Sequence, residues 1–446
     1  MSNTAKIFKK LFISHLLLNI TNYLSNILNG IVAGKLIDSI AVSFNSLIVP
    51  YNRLLLTFAF LYSTGSEIVC GKYMGSGDRK SINKVFTMSI ILSSIISIAI
   101  TIPSFVFPNR IVSMLGASNE INEYAATYLR GYAIGNLSYI LIPILSSFLH
   151  IEDEGKQIIK SVIIMTITYG ICSFCFIEVL SLGYFGFGLS TSISKIVTVL
   201  YLFIKIYKNR KQIYFEKFKF DFSVFIDIHK YGLVSGISNL LLSQRGLIFN
   251  QILANNGGVT SLSAYSVSVS VLSIVDSFTL AIIQTFSLLS SVYIGERNKK
   301  ELLNTFKYFF KCVYPIYFVV LLIHFIFAKQ ICSLFTNDID SLILGCHMVR
   351  LYLPSALLES IINILMNLYI VFKHNIFAYI LNILHSCVLH SAYAIATQSF
   401  LSYDAVNTGY IFTEITSFLI IYIYVIIQKK EYYYCLKIHV RMLELD

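Results

Sequence analysis

The sequence predicts an all-α polytopic membrane protein: twelve transmembrane helices in two parallel six-helix repeats, with both termini on the cytoplasmic side. Three observations carry this expectation. The 446-residue chain is 56% hydrophobic and only 13% charged, where a soluble globular chain carries about 25% charged residues. The stretch YMGSGDRKSINKVF at 73–86 returns as YIGERNKKELLNTF at 293–306, shifted by 220 positions. Finally, Lys and Arg collect in alternate loops between the apolar runs.

The runs are solidly apolar, whereas strands of a membrane barrel would alternate apolar and polar residues. A bilayer core of roughly 30 Å takes about 20 apolar residues per helix, and a helix satisfies its own backbone hydrogen bonds in lipid. In the first half the spans fall at 11–33, 43–70, 85–107, 123–149, 157–180 and 184–206. In the second they fall at 231–254, 261–294, 302–327, 341–372, 375–398 and 403–427. Lys6, Lys9 and Lys10 precede the first run, which is interrupted by Ser14, His15, Asn19, Thr21 and Asn22 and has no small-residue cleavage site; it reads as a retained helix.

Basic residues mark the cytoplasmic face. With the N-terminus inside, the inner loops receive Lys72, Arg79, Lys80 and Lys84, then Lys156 and Lys160, then Arg297, Lys299 and Lys300, among others. The outer loops hold Lys35, Arg110 and Lys329. Six spans per half is an even number, so the halves share one orientation. The predicted organisation is an N-terminal lobe at 1–207, a basic cytoplasmic connector at 208–230, a C-terminal lobe at 231–427 and a cytoplasmic tail at 428–446. Parallel repeats are a recurrent plan of secondary transporters, with substrate held between the halves.

The net charge of +11 sits in those loops, which speaks for a lipid bilayer and against nucleic acid as partner. The eight cysteines show no disulfide pattern and read as small hydrophobes in helix packing. No phosphate-binding loop is present, so neither ATP nor any resident cofactor or metal is expected. No obligatory protein partner is evident.

Other landmarks repeat at the same 220-residue shift: Phe107, Ile111 and Ser113 with Phe327, Ile331 and Ser333, and Arg130 and Tyr132 with Arg350 and Tyr352. Gly75, Gly77 and Asp78, with Gly295 in the second copy, mark a cytoplasmic hinge or turn. Four stretches then resemble one family in the right order. They are Gly75-Ser76-Gly77-Asp78, MLGASNEINEYAATYLR at 114–130, GYFGFGLSTSIS at 183–194 and FNQILANNGGVTSLSAYSV at 249–267. Over nearly its whole length the chain resembles the multidrug and toxic compound extrusion (MATE) transporters, in particular the bacterial branch related to DNA-damage-inducible exporters. The resemblance implies a two-lobed exporter in the bacterial plasma (inner) membrane. Such a protein moves amphiphilic, often cationic, small molecules outward in exchange for Na+ or H+, and is not an enzyme.

Two departures stand out. Where the family commonly has an Asp near the end of the first span, this chain has Asn29; where its fifth span often has Asn and Asp, this chain has Tyr169 and Ser173. The expected coupling acids lie in the second half instead. An ionisable group in mid-bilayer costs roughly 3 kcal/mol and is a functional candidate by default. Glu359 and Asp276 are taken to bind the coupling cation, with Arg245 as ion-pair partner and Arg53 and Asn29 as further cavity residues. The alternative is a structural ion pair, idle in transport. Lys195 and Glu414, at nearly matching repeat positions, receive no role. His385 and His390 read as polar packing, because residues five apart do not share an α-helical face. A flippase for a lipid-linked saccharide and, further off, a membrane-embedded enzyme are the competing functions.

Overall fold

The computed structural model describes residues 3–427 except 77, 153, 210–212, 218–219, 296–297 and 372–374. Gly77, part of the connector and the tail at 428–446 therefore lie outside the described residues. Every regular element among those described is helical. Helices long and apolar enough to cross a bilayer cover Ser39–Cys70, Arg79–Val106, Gly155–Val179, Gly183–Lys208, Ser235–Phe286, Lys299–Ile326, Ile339–Met366 and Ile376–Ile426. A ninth is made by Asn122–Ala133 and Asn136–Leu149, bent by 45°.

Two of these stretches, of 52 and 51 residues, would run roughly 75 Å as straight helices, more than twice the bilayer core. Each contains a break. In the first, Gly258 takes φ 60° and ψ −146°. A Cβ there would meet open space, so the position asks for glycine's backbone freedom rather than its small size. In the second, a 3-10 turn at Ser402–Asp404 opens on Ser402 with φ 54°.

The chain packs as two compact units. The first comprises 24–267 and 334–341; the second comprises the described residues of 1–23, 268–333 and 342–446. Their boundaries fall inside the helices Asn3–Val32 and Phe222–Gly295.

In the first unit, Gly131 and Gly188 let the helices Asn122–Ala133 and Gly183–Asn209 touch backbone to backbone. A methyl group on Gly188 would overlap the Tyr128 carbonyl, and one on Gly131 the Phe185 carbonyl. Small residues permit this approach in a membrane, where packing rather than water exclusion holds helices together. The same crossing repairs the bend that follows. Ser192 Oγ lies 2.7 Å from the Gly131 carbonyl and 2.8 Å from that of Tyr132, where the break leaves acceptors to satisfy. The connector docks here too: the amides of Tyr214 and Glu216 donate to Asn83 Oδ1 (2.9 Å) and Thr87 Oγ1 (3.0 Å).

The second unit has an apolar core of Ile362, Met366, Tyr369, Ala378, Leu381 and Ile421. It also holds the second copy of the opening motif, and the two copies turn alike. The Asp78 amide donates to the Tyr73 carbonyl at 2.9 Å, and the Asn298 amide to the Tyr293 carbonyl at 2.7 Å. Asp78 then caps the next helix by accepting from the Ser81 amide (3.1 Å), and Asn298 does so from the Glu301 amide (3.2 Å). Gly75 and Gly295 both close the preceding helices. Asp and Asn are both strong N-caps, so the turn survives although Gly77-Asp78 has become Arg297-Asn298.

Candidate functional site

In the second unit, Tyr352 and Glu359 stand seven residues apart on Ile339–Val371, two turns along one helical stripe. Tyr352 Oη donates to Glu359 Oε2 at 2.8 Å. Tyr317, wholly buried, meets Thr279 Oγ1 at 2.8 Å and the Ala356 carbonyl at 3.3 Å. This ties the helices carrying Asp276 and Glu359 to each other. Both carboxylates lie close enough to act electrostatically on the hydroxyls of Tyr317 and Tyr352, and Glu359 alone is seen to accept a hydrogen bond from one of them. Both acids are half-buried. Two carboxylates and two hydroxyls offer oxygen ligands for a hard cation or acceptors for a proton.

Arg245 belongs to the first unit, where its guanidinium sits 5.9 Å from the Phe249 ring. Arg53, also in the first unit, reaches Asn239 Oδ1 at 3.4 Å and acts electrostatically on Tyr139. Lys195 Nζ lies over the rings of Tyr139 (4.7 Å) and Tyr132 (5.3 Å), an arrangement that stabilises a desolvated cation. Sequence reading assigned Lys195 no role. The tyrosines belong to a different span, and their seven-residue spacing to one another carries no signal of a cation contact.

The positions that depart from the family pattern also come together in the first unit. Tyr169 Oη donates to Asn29 Oδ1 at 2.5 Å, and Asn29 Nδ2 donates to Asn45 Oδ1 at 2.7 Å. Ser173, one turn beyond Tyr169, is fully buried. The amide of Asn29 thus uses both ends, accepting from one span and donating to another, and every group in this cluster is neutral. Nearby Asp38 is a helix cap: it accepts from the Ala41 amide (2.8 Å) and from Tyr184 Oη (2.6 Å).

A further titratable pair lies in the second unit. His385 Nε2 is 2.9 Å from Glu414 Oε1, and Glu414 has no exposed surface. The His385 and His390 rings are 5.3 Å apart, although α-helical spacing sets residues five apart on different faces. The segment Leu384–Leu389 is π-helical, and a π-turn aligns i with i+5. The two imidazoles pack against each other because the π-helical turn, not α-helical spacing, brings them to one side.

The sequence profile of the MatE family matches this chain twice, over residues 15–177 and 235–395. The two matches begin 220 residues apart, the same shift as the repeated turn. The multidrug export protein MepA of Staphylococcus haemolyticus (strain JCSC1435) is 23% identical over 347 residues, covering 75% of this chain and 74% of that protein. The inward-facing structure of a multidrug resistance MATE transporter of the MOP superfamily superposes with a TM-score of 0.82 at 19% identity. It covers 93% of this chain and 97% of its own. An outward-facing structure of such a transporter gives 0.70 at 20% identity, covering 94% of each.

Proposed function

The chain belongs to the MatE family, and from that premise we propose that it is a secondary active exporter. It exchanges amphiphilic, cationic organic compounds for H+ or Na+ by alternating access of two lobes, in the bacterial plasma membrane. The four quoted motifs favour the branch resembling DNA-damage-inducible exporters. The 52- and 51-residue apolar stretches each provide two crossings. With the bent pair and the helix Asn3–Val32 they bring the count to twelve, and the basic loops orient both termini inward. The lobes are 1–207 and 231–427, joined by the connector at 208–230.

One observation carries the coupling assignment: the intramembrane carboxylate of Glu359 accepts from Tyr352 at 2.8 Å, on a helix that Tyr317 ties to the one carrying Asp276. Loading a cation there cancels charge in a desolvated place, and a charge change of that kind tips two packings separated by a few kcal/mol. Gly75, Gly77, Asp78 and Gly295 mark the turns about which the cytoplasmic ends of the lobes move. The test is ethidium uptake into everted vesicles under an H+ or a Na+ gradient. Glu359→Gln and Asp276→Asn are each expected to abolish gradient-dependent uptake while the protein stays in the membrane. Unchanged coupling in both variants contradicts the assignment.

A second reading is favoured by a different observation. Lys195 lies over Tyr139 in the first unit and Arg53 acts electrostatically on the same hydroxyl, and basic groups there suit an anionic headgroup, as a flippase for a lipid-linked saccharide requires. Translocation of a fluorescent pyrophosphate-linked lipid in proteoliposomes, without ethidium transport, would replace the exporter with the flippase.

A further inference from the structure

We propose that Lys195, with Tyr132 and Tyr139, recognises the acid group of an amphiphilic monoanion, a carboxylate or sulfonate, and so gives the exporter a second substrate class beside organic cations; this rests on the exporter reading and adds to it. Lys195 lies near the middle of the span Gly183–Lys208. Its Nζ is 4.7 Å from the centroid of the Tyr139 ring and 5.3 Å from that of Tyr132. Among the described residues no carboxylate stands within ion-pairing distance of this ammonium, and no side chain or backbone acceptor is hydrogen-bonded to it. Two ring faces steady a cation but carry no negative charge, so the N–H donors of Lys195 stay unmet. A charge in mid-membrane either pairs with another group or marks the path of a substrate or ion. Lys195 has no such partner in the protein, which leaves the second role.

The rest of the first unit points the same way. Arg53 is also mid-span, in Ser39–Cys70, and meets only the neutral amide of Asn239. No carboxylate among the described residues of this unit shares that depth. Glu67, Glu123, Glu178 and Asp340 stand near the ends of their spans and are exposed, and the others lie outside the spans. An acid group bound here cancels charge, whereas an organic cation meets like charge. Its oxygens take the ammonium protons in charge-assisted hydrogen bonds. Thr191, one turn before Lys195 on the same helical face, is only 8% exposed and its Oγ1 has no protein partner, so its hydroxyl is a further donor for the acid. Tyr132 donates its own hydroxyl to Asn52 Oδ1 at 2.6 Å and offers its ring alone. With the half-buried Tyr139 it presents aromatic surface to the apolar body of the ligand. A single ammonium balances a single charge, which suits a monoanion better than the pyrophosphate of a lipid-linked saccharide.

Dansylglycine supplies the acid as a probe, and dansylglycinamide the same body without the charge. Fluorescence titration of the purified full chain in a non-ionic detergent should show the acid bound about tenfold more tightly than the amide, the scale of one hydrogen bond to a charged group. Lys195→Met should lose that preference, and Lys195→Arg, which keeps the charge, should retain most of it. Should Lys195→Met not fold, Lys195→Gln takes its place, and the wild-type comparison of acid with amide stands on its own. Equal binding of acid and amide by the wild type, or a preference that survives the neutral variant, overturns the site. Competition separates the sources of the anion. Decanesulfonate should displace dansylglycine better than geranyl pyrophosphate does, and the reverse order overturns the monoanion in favour of a lipid headgroup. Ethidium exchange in wild-type proteoliposomes tests the exporter separately. Exchange without any preference for the acid removes the site and leaves the exporter standing; preference without exchange keeps the site and removes the exporter.

Discussion

The polar clusters of the two units are built alike and differ in one chemical respect. In the first unit a buried tyrosine, Tyr169, donates to the side chain of Asn29; in the second, Tyr352 donates to the side chain of Glu359. The amide of Asn29 passes the interaction on to Asn45 and stays neutral at every pH. The carboxylate of Glu359 acts with Asp276 on the same tyrosines, and in the proposed coupling role the net charge of its site would change on binding a cation. A hydrogen-bonded core needs only satisfied donors and acceptors, which an amide supplies. Coupling to an ion gradient needs a group whose charge depends on occupancy. The comparison assigns rigidity to the first cluster and ion coupling to the second.

The largest expected effect comes from removing the difference. Glu359→Gln turns the second cluster into a neutral one, and gradient-driven efflux should fall to the level of empty vesicles, measured as ethidium exchange. The reverse change, Asn29→Asp, places a carboxylate where Tyr169 can still donate. The pH profile of exchange should then acquire a second inflection, and an unaltered profile would mean that this cluster is isolated from the transport cycle. A smaller effect follows from crowding the first unit. Gly188→Leu forces a side chain against the Tyr128 carbonyl and should destabilise the fold by about 1–3 kcal/mol, read as a lower melting temperature with coupling intact.

The smallest effect concerns the two matching turns. Asp78→Ala and Asn298→Ala each remove a helix cap and should lower the melting temperature slightly and similarly at neutral pH. They should part company in acid. Hydrogen bonds from the Ser81 hydroxyl and amide hold the exposed Asp78 carboxyl below its ordinary pKa. Its contribution is therefore present above the unfolded-state value and fades as pH falls through the folded one. The neutral Asn298 cap has no such dependence, so the gap between wild type and variant should shrink at low pH only for Asp78.

Much of this was legible in the chain. The 220-residue shift predicts that 78 and 298 are equivalent, and the structure finds a cap at both. Composition predicts apolar helices but not their breaks, one of which uses glycine's backbone freedom at Gly258 while the other opens on Ser402 in the same region. The departures at 29, 169 and 173 were visible as residue types, but not the hydrogen-bonded chain that joins Tyr169 and Asn29 to Asn45, because Asn45 lies on a span that no motif singles out. His385 and Glu414 stayed hidden for a different reason. A sequence read at 3.6 residues per turn puts 385 and 390 on separate faces, and only the π-helical segment brings them together. Lys195 and Glu414, near repeat mates, solve the same burial problem with tyrosine rings in one unit and a histidine in the other, a choice no periodicity encodes.

In the proposed function, ion coupling resides with Glu359 in the second unit and not with the Asn29–Tyr169 cluster of the first. Ethidium exchange against imposed H+ and Na+ gradients, compared in proteoliposomes of Glu359→Gln and Tyr169→Phe, tests it most directly. Glu359→Gln should lose gradient dependence while Tyr169→Phe keeps it; coupling retained by Glu359→Gln and lost by Tyr169→Phe would place it in the first unit instead.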